Sequence, residues 1–482
     1  MQNAQEESVE TSHELKRSLQ ARHLNMIAMG GAIGTGIFLA LGATINQAGP
    51  GGALVAYGCI GVMVYFLMTS LGEMATFMPD SGSFGIYASK FVDPAFGFAM
   101  GWNYWYNWAI TVAAEMVAGA LLMKYWFPGV PAITWSVLFL VLIVGLNLLS
   151  ARAYGEAEYW FASIKVITVI IFLLVGVATI VGIIGGHTIG FKNFTVGEAP
   201  FVGGAKSIFM VFLIAGFSFQ GTELVGIAAG ESENPEKTIP KAINTIFWRI
   251  LIFYLGTIFV VGALIPYTEA GVDTSPFTMV FQKAGIAAAA SLMNAVILTS
   301  VLSAGNSGMY ASSRMLYAMA KDGKAPAFLG KLNSRGVPTN ALMITTIVAS
   351  LCFLTGLYAE KTVYVWLVAA SGLAGFVAWL GIALCHYRFR KAYVAQGRDL
   401  GKLKYVAKLF PLGPIIALVL CTVVTLGQGL SYFEADKIDW NGVISSYIGL
   451  PLFLALWFGY KSKHNTKVIN LMDVDFDTKT EK

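Results

Sequence analysis

Long apolar runs separated by short polar connections fill most of the 482-residue chain. The first run, LNMIAMGGAIGTGIFLALGATI, is about as long as the roughly 20 residues that a helix needs to cross a bilayer. Because backbone groups in lipid must be paired internally, we predict about twelve transmembrane helices and no strands. Their predicted bounds are 24–45, 52–78, 96–122, 131–151, 157–184, 206–230, 241–266, 285–316, 340–357, 362–387, 409–429 and 442–460.

Glycines interrupt two of these runs near mid-membrane, in GGAIGTGIF (30–38) and in FQGTELVG (219–226). The two runs are five helices apart, and this odd offset inverts the second relative to the first. Paired interruptions of this kind are typical of inverted-repeat transporters, whose substrate site lies at the breaks. Glycines can instead serve close helix packing. The carboxylate of Glu223 beside the second break favours a site.

Composition and charge agree with a membrane protein, since 56% of residues are hydrophobic and only 12% are charged. The net charge of +5 does not require a nucleic-acid partner, because most basic residues fall in alternate connections. This positive-inside bias predicts cytoplasmic termini. The four cysteines are scattered in apolar runs without a CxxC pair, so we expect no disulfide, metal or other cofactor.

No linker divides the chain, and we expect a single membrane domain. Its predicted parts are an N-terminal tail (1–23), a transport core of ten helices (24–390), a basic inner loop with helices 11 and 12 (391–460) and a C-terminal tail (461–482). The N-terminal tail has no cleavable apolar region, so the first helix is expected to be retained. The basic loop is interpreted as a topology determinant, with anionic-lipid binding as the alternative.

A broken helix leaves N–H groups free at one end and carbonyls free at the other. The amides of Ile33, Gly34, Thr35 and Gly36 are suited to a carboxylate, and unwound carbonyls are suited to an ammonium. An amino acid carries both groups. The breaks therefore indicate a site for a zwitterion.

Ionisable residues inside membrane spans are functional hypotheses by default. Glu73 lies near the inner end of its run, where it can simply cap a loop. Glu115 is either functional or a structural hydrogen-bonding group. Lys165 either snorkels to the cytoplasm or exchanges a proton during transport. Glu223 lies at the second break and is expected to receive a cation: the substrate's α-amino group, a side-chain ammonium or a proton.

Aromatic residues accompany these charges. Tyr104 and Trp108 in GWNYWYNW share a helix face at i and i+4, and Phe217 and Phe219 precede the second break. Aromatic faces suit the alkyl stem and the ammonium of a long cationic side chain. An interfacial aromatic belt is the alternative for residues 101–108.

Five stretches carry a family resemblance: GGAIGTGIF, LGEMATFMPDSGSF, GFAMGWNYWYNW, FSFQGTELVGIAAGESENPEKTIPKAI and SAGNSGMYASSRMLYAMAKDGKAP. Through them the chain resembles bacterial amino acid permeases of the amino acid–polyamine–organocation superfamily over nearly its whole length. It looks most like the lysine-specific permeases through GEAEYWFASIKV, SFQGTELVGIAAGE, AWLGIALCHYRFRKAY and FPLGPI. Permeases for histidine, arginine and aromatic amino acids share many of these strings.

The resemblance implies a twelve-helix transporter with ten helices in an inverted repeat and two peripheral helices. It further implies that Gly34, Thr35 and Gly36 hold the substrate carboxylate, that Phe217 gates the site and that Lys165 replaces a sodium ion of sodium-coupled relatives. The residues implied in lysine recognition are Tyr104, Trp108, Glu223 and Glu231. Glu231 lies just beyond its predicted span, so a role in a gate is the alternative.

Together these features predict a proton-coupled permease that imports L-lysine across the plasma membrane by alternating access. The expected partners are lysine, a proton and the lipid bilayer. The alternatives are a histidine or arginine permease, an amino acid/amine exchanger and an amino acid sensor without transport. An enzyme is not expected, because the sequence shows no nucleophile–base set and no metal-ligand cluster.

Overall fold

A computed structural model of the protein describes residues 19–30, 33–80, 82–149, 151–186, 188–271, 275–427, 429–433 and 438–476. Most of the predicted N-terminal tail, the end of the C-terminal tail, and residues 31 and 32 of the first glycine motif lie outside these ranges. Within them the regular structure is helical, and the one β-type pairing is an isolated bridge between Leu19 and Ser232. The prediction of an all-α fold is confirmed.

The described residues form nineteen α-helices, numbered in chain order. The first ten are α1 (Ala21–Gly30), α2 (Leu41–Phe77), α3 (Ser83–Phe91), α4 (Pro94–Met123), α5 (Ala132–Asn147), α6 (Ala151–Ile180), α7 (Gly204–Met210), α8 (Phe212–Phe219), α9 (Leu224–Ala228) and α10 (Pro235–Asn244). The others are α11 (Ile246–Arg249), α12 (Gly256–Leu264), α13 (Pro276–Lys283), α14 (Ala287–Lys321), α15 (Thr339–Ala349), α16 (Glu360–Ala395), α17 (Leu412–Gly427), α18 (Trp440–Tyr447) and α19 (Gly449–His464). Two π-helical turns, Gly36–Ala40 and Ile250–Leu255, precede α2 and α12.

The apolar helices coincide with the predicted runs. In the described part of the chain, eight helical segments are long and apolar enough to span a bilayer, and the bent pair α18 and α19 makes a ninth. The segment Gly36–Phe77 contains a non-helical residue, Gly49, at φ 75°, which lies between the first and second predicted runs. The two shorter apolar helices α5 and α17 lie in two further predicted runs.

Both predicted helix breaks are present. In the first run, the described part of α1 extends to Gly30, Ile33 and Gly34 are not helical, and a π-helical turn begins at Gly36. In the sixth run, α8 ends at Phe219 and α9 begins at Leu224. Between them the backbone of Gly221 has φ 95°, a conformation that side-chain-bearing residues rarely adopt. The glycine of FQGTELVG therefore makes this interruption possible.

The two broken segments pack against each other in opposite directions. Helix α1, before the first break, contacts α9, which follows the second break. The turn Gly36–Ala40, after the first break, contacts α8, which precedes the second. A Cβ atom added at Gly36 would lie 2.7 Å from both Cβ and Oγ of Ser218, so only a glycine permits this approach. The antiparallel arrangement, with both breaks at one level, is the one that an inverted repeat produces.

Helices α4, α14 and α16 form the central support of the bundle. Helix α4 packs along both of the others. In both α4 and α16, 89% of an 18-residue apolar stretch is buried. Helix α6 is more peripheral, because only 33% of its 18-residue apolar stretch is buried, and it packs against α1 and α14. These contacts place residues of α4, α6 and α16 around the two breaks.

The N-terminal end of α4 is bonded to the C-terminal segment. Asp93 caps α4 by accepting from the Ala95 N–H, and its carboxylate also accepts from Lys461 and Thr466, each at 2.7 Å. Burial alone would raise the pKa of Asp93, but the hydrogen bonds from Lys461 and Thr466 outweigh it and hold the pKa below its ordinary value. The Ile469 N–H donates to the Val92 carbonyl nearby.

Candidate functional site at the two helix breaks

Glu223 lies immediately before α9, at the second break, and only 1% of it is exposed. Its Oε1 accepts from the Tyr104 hydroxyl at 3.2 Å, and its Oε2 accepts from Trp379 Nε1 at 3.3 Å. The Gly221 N–H lies 3.2 Å from both carboxylate oxygens. All of these donors are neutral. This buried carboxylate at a helix break is thus stabilised by hydrogen bonds and has no cation bonded to it in the part of the chain described here.

Tyr104 comes from α4 and Trp379 from α16, so the two central helices converge on this carboxylate. The Tyr104 ring packs edge-on against Phe84 at 4.6 Å. Trp108, one turn along α4, has its ring 6.4 Å from that of Tyr104, and its Nε1 has no hydrogen-bond partner among the described residues. Sequence reasoning missed Trp379, because no local pattern associates it with a carboxylate 156 residues away.

The first break is joined to α4 by a hydrogen bond in which Thr35 Oγ1 donates to Glu115 Oε1 at 2.9 Å. A Cβ atom added at Gly34 would lie 3.2 Å from Ala304 Cβ and 3.5 Å from the same carboxylate oxygen. Ile33 is fully buried beside it. The half-helix that resumes here leaves its first N–H groups without intrahelical acceptors, as an anion site requires. Glu115 therefore contacts the break that is suited to a carboxylate group.

Lys165 is 0% exposed, so its side chain lies within the helix bundle rather than extending to the inner surface. Its Nζ lies 3.7 Å from Glu158 Oε1, and Glu158 Oε2 accepts from Ser303 Oγ at 2.7 Å. The Lys165 charge also interacts electrostatically with Glu115. The lysine is therefore the middle member of a buried series of three ionisable groups that begins at the first break.

Glu158 was not among the residues singled out from the sequence. The available signal was its position seven residues before Lys165, which is two helical turns and therefore the same helix face.

Glu231 is buried, but its partners differ from those of Glu223. Its Oε1 accepts from the Tyr310 hydroxyl at 2.6 Å and from Arg314 Nε at 3.2 Å, and the Tyr310 ring stacks on Tyr154 at 4.0 Å. The Glu231 carbonyl accepts from the N–H of Leu19. The structure therefore joins the Glu231 carboxylate to α14 and the Glu231 backbone carbonyl to the N-terminal segment, an arrangement that fits the gate alternative.

The two phenylalanines before the second break are both buried on α8. The Phe219 ring stacks on Tyr254 at 4.1 Å and lies 5.9 Å from Tyr57. Phe219 thus packs toward α2 and the turn before α12. The role of Phe217 as a gate remains a prediction.

Glu73 has the role of a loop anchor. It accepts two hydrogen bonds from Arg390, one of them at 2.6 Å, and one from the Ala407 N–H at 2.7 Å. His386 Nε2 lies 3.2 Å from the same carboxylate. These contacts connect α2 to α16 and to the loop after it, as the loop-capping interpretation predicts. Among the described residues, no group of three His, Cys, Asp or Glu side chains is placed to hold a metal ion.

Comparison with known proteins agrees with this architecture. A family model described as "Amino acid permease" matches residues 23–471. The chain is 57% identical to the lysine-specific permease LysP of Escherichia coli (strain K12), over 96% of both chains. It is 54% identical to the lysine-specific permease LysP of Lactococcus lactis, over 98% of this chain and 95% of that protein. It is also 50% identical to the histidine permease HisP of the same organism, over 97% of this chain and 99% of that protein.

Proposed function

Since this multi-pass membrane protein belongs to the amino acid permease family, a family of transporters rather than enzymes, we propose that it imports L-lysine across the plasma membrane by proton-coupled alternating access. Both termini lie in the cytoplasm in this proposal. The observation that carries the lysine assignment is the buried Glu223 carboxylate, which has only neutral donors at a helix break. Two relatives at 54 to 57% identity are named lysine-specific permeases, which supports the same substrate.

In this proposal the two breaks bind opposite ends of lysine. The free N–H groups around Ile33, Gly34, Thr35 and Gly36 bind the α-carboxylate, where a helix N-terminus favours negative charge. Unwound carbonyls at the breaks bind the α-ammonium. The side-chain ammonium replaces one neutral donor of Glu223 and forms a buried, charge-assisted hydrogen bond.

Tyr104 and Trp108 line the path of the alkyl stem. Their rings lie on one face of α4, and the hydroxyl of Tyr104 already contacts Glu223. Aromatic faces attract both methylene groups next to a cation and the cation itself. A neutral amino acid gains the carboxylate contacts but leaves Glu223 without a cation.

Lys165 carries the coupled proton in this scheme. A lysine buried in a low-dielectric site releases its proton readily. The carboxylates of Glu115 and Glu158 offer acceptors on the two sides of Lys165. Inward movement of a lysine cation and a proton together gains about 2.3 kcal/mol per charge at 100 mV, which is enough to drive accumulation.

Histidine is the second candidate substrate, because a histidine permease is 50% identical over 97% of this chain. The histidine side chain is shorter than that of lysine, and only a fraction of histidine side chains is protonated at neutral pH. Histidine import should therefore increase as the external pH falls below about 6.5 even when the proton gradient is clamped.

The test is uptake of radiolabelled lysine into proteoliposomes with an imposed proton gradient and a panel of twenty unlabelled amino acids. Competition by lysine, with no accumulation after the gradient and the potential are collapsed, is the expected result. Broad competition by neutral amino acids would contradict the lysine assignment. A requirement for internal substrate would indicate an exchanger, and binding without accumulation would indicate a sensor.

A further inference from the structure

Arg249 is a buried cation that the proposed transport scheme does not use. It is the last residue of α11, is 3% exposed and lies in a helix that packs against α1 and α2. None of its three guanidinium nitrogens has a hydrogen-bond partner among the described residues. Burying a guanidinium without an acceptor is strongly unfavourable, so a partner is expected in another state of the molecule.

The surroundings of Arg249 point toward the second break. Its charge interacts electrostatically with Tyr254 and Glu223, and Glu223 is the carboxylate of the two. The Tyr254 hydroxyl donates to the Ser218 carbonyl in α8 at 3.0 Å, and its ring stacks on Phe219. These contacts connect the segment that carries Arg249 to the residues that precede the break.

The backbone after Arg249 is adjustable. The π-helical turn Ile250–Leu255 follows it directly, and such turns are frequent at functional sites. A shift of the extra residue along the helix rotates the side chains on either side of it. Arg249 can thereby change its direction without unfolding of the membrane segment.

In the described part of the chain, this region thus contains a cation, Arg249, with no acceptor and a carboxylate, Glu223, with only neutral donors. We propose that Arg249 is the resident counter-cation of Glu223: it pairs with this carboxylate when no cationic substrate is bound, and the side-chain ammonium of the substrate displaces it. The inference rests on the proposed function, because it takes Glu223 to be the group that receives the substrate's cation.

A consequence follows for the transport cycle. After the substrate leaves toward the cytoplasm, Glu223 would be an unpaired charge in the empty carrier, and Arg249 neutralises it while the carrier returns. In the loaded carrier the substrate supplies the cation for Glu223, and Arg249 is again without an acceptor among the described residues, as in the structure. Loss of Arg249 should therefore slow the return of the empty carrier and spare the movement of the loaded one.

The experiment compares wild-type protein, Arg249→Met and Arg249→Lys in proteoliposomes. Net lysine uptake requires return of the empty carrier, whereas exchange into lysine-loaded vesicles does not. We expect Arg249→Met to lower net uptake by about tenfold or more and to leave exchange within about twofold of wild type. The reason is that only the empty carrier has a Glu223 carboxylate without a counter-cation. Arg249→Lys, which keeps the cation, should retain both. Equal losses of net uptake and exchange, or no loss of either, would overturn the proposal.

A second measurement needs neither transport nor substrate. The melting temperatures of Arg249→Met, Glu223→Gln and the double variant form a thermodynamic cycle for the two charges. If the residues pair, Glu223→Gln lowers the melting temperature less in the Arg249→Met background than in wild type, because the carboxylate has already lost its counter-cation there. Additive effects of the two substitutions exclude the pair. Failure of wild-type protein to take up lysine would refute the proposed function and leave this cycle interpretable.

Discussion

Replacing Glu223 by glutamine tests the centre of the proposed site with little change in shape. The carboxylate accepts from Tyr104 and Trp379 at 3.2 and 3.3 Å and from the Gly221 N–H at 3.2 Å. The glutamine amide oxygen can still accept from Trp379 and the Gly221 N–H, and its nitrogen can donate to the Tyr104 hydroxyl, which accepts as well as donates. The substitution also removes the charge that is expected to bind the lysine ammonium.

The expected loss of affinity can be estimated from these contacts. Removing one partner of a buried, hydrogen-bonded charge pair costs about 2 to 5 kcal/mol. Since 1.4 kcal/mol corresponds to a factor of ten, Kd for lysine should rise by about 30-fold or more. The assay is isothermal titration calorimetry of lysine binding to purified protein in detergent.

A suitable control is Glu156→Gln, because Glu156 is 35% exposed and pairs with Arg22 and His23 away from the breaks. This variant should bind lysine with the wild-type Kd. A Glu223→Gln protein that melts at the wild-type temperature and binds lysine within about twofold of wild type would refute the assignment of Glu223 to the ammonium.

Three other changes test the remaining parts of the structure. Lys165→Ala should abolish proton-driven lysine accumulation and preserve lysine exchange; full concentrative uptake would remove Lys165 from the coupling. Gly36→Ala should destabilise the protein by about 1 to 3 kcal/mol, because its Cβ would lie 2.7 Å from Ser218 Oγ. The matched change Gly58→Ala, with no atom within 4 Å of the added carbon, should not lower the melting temperature, and equal effects would contradict the close approach. Asp93→Asn should destabilise the protein at pH 7, with a difference from wild type that shrinks as the pH falls below about 4; a pH-independent difference would count against the ionised cap.

The sign of that pH dependence follows from the contacts of Asp93. Hydrogen bonds from Lys461 and Thr466 hold its folded-state pKa below the ordinary value of 3.8. A carboxylate with a lowered folded-state pKa contributes its full stability above the unfolded-state pKa and loses it as the pH falls through the folded-state pKa. Thermal melting of the two proteins between pH 7 and pH 3 measures this window.

The partners of the charged residues were beyond the reach of sequence reasoning, with one exception. Lys165 and Glu158 are two helical turns apart and share a helix face, so their spacing in the sequence was enough to predict that they pair. Glu231 lay at the edge of its predicted span, and nothing in its neighbourhood indicated the contact with Arg314, 83 residues later. Arg249 lies inside the predicted span 241–266, and only the packed structure shows that its guanidinium is buried without an acceptor among the described residues.

The sequence by itself determined the helical class, the membrane crossings and the two breaks, because each of these depends on local properties. Apolar length decides whether a segment crosses a bilayer, and Gly221 at φ 95° decides where the sixth segment can unwind. Only the tertiary structure decided that Glu223 faces Tyr104 and Trp379, which are 119 and 156 residues away. In a membrane, lipid and protein neighbours are similarly apolar, so hydrophobicity does not reveal which helix faces meet. Those contacts are set by small-residue packing and buried hydrogen bonds, which form only when the whole bundle is assembled.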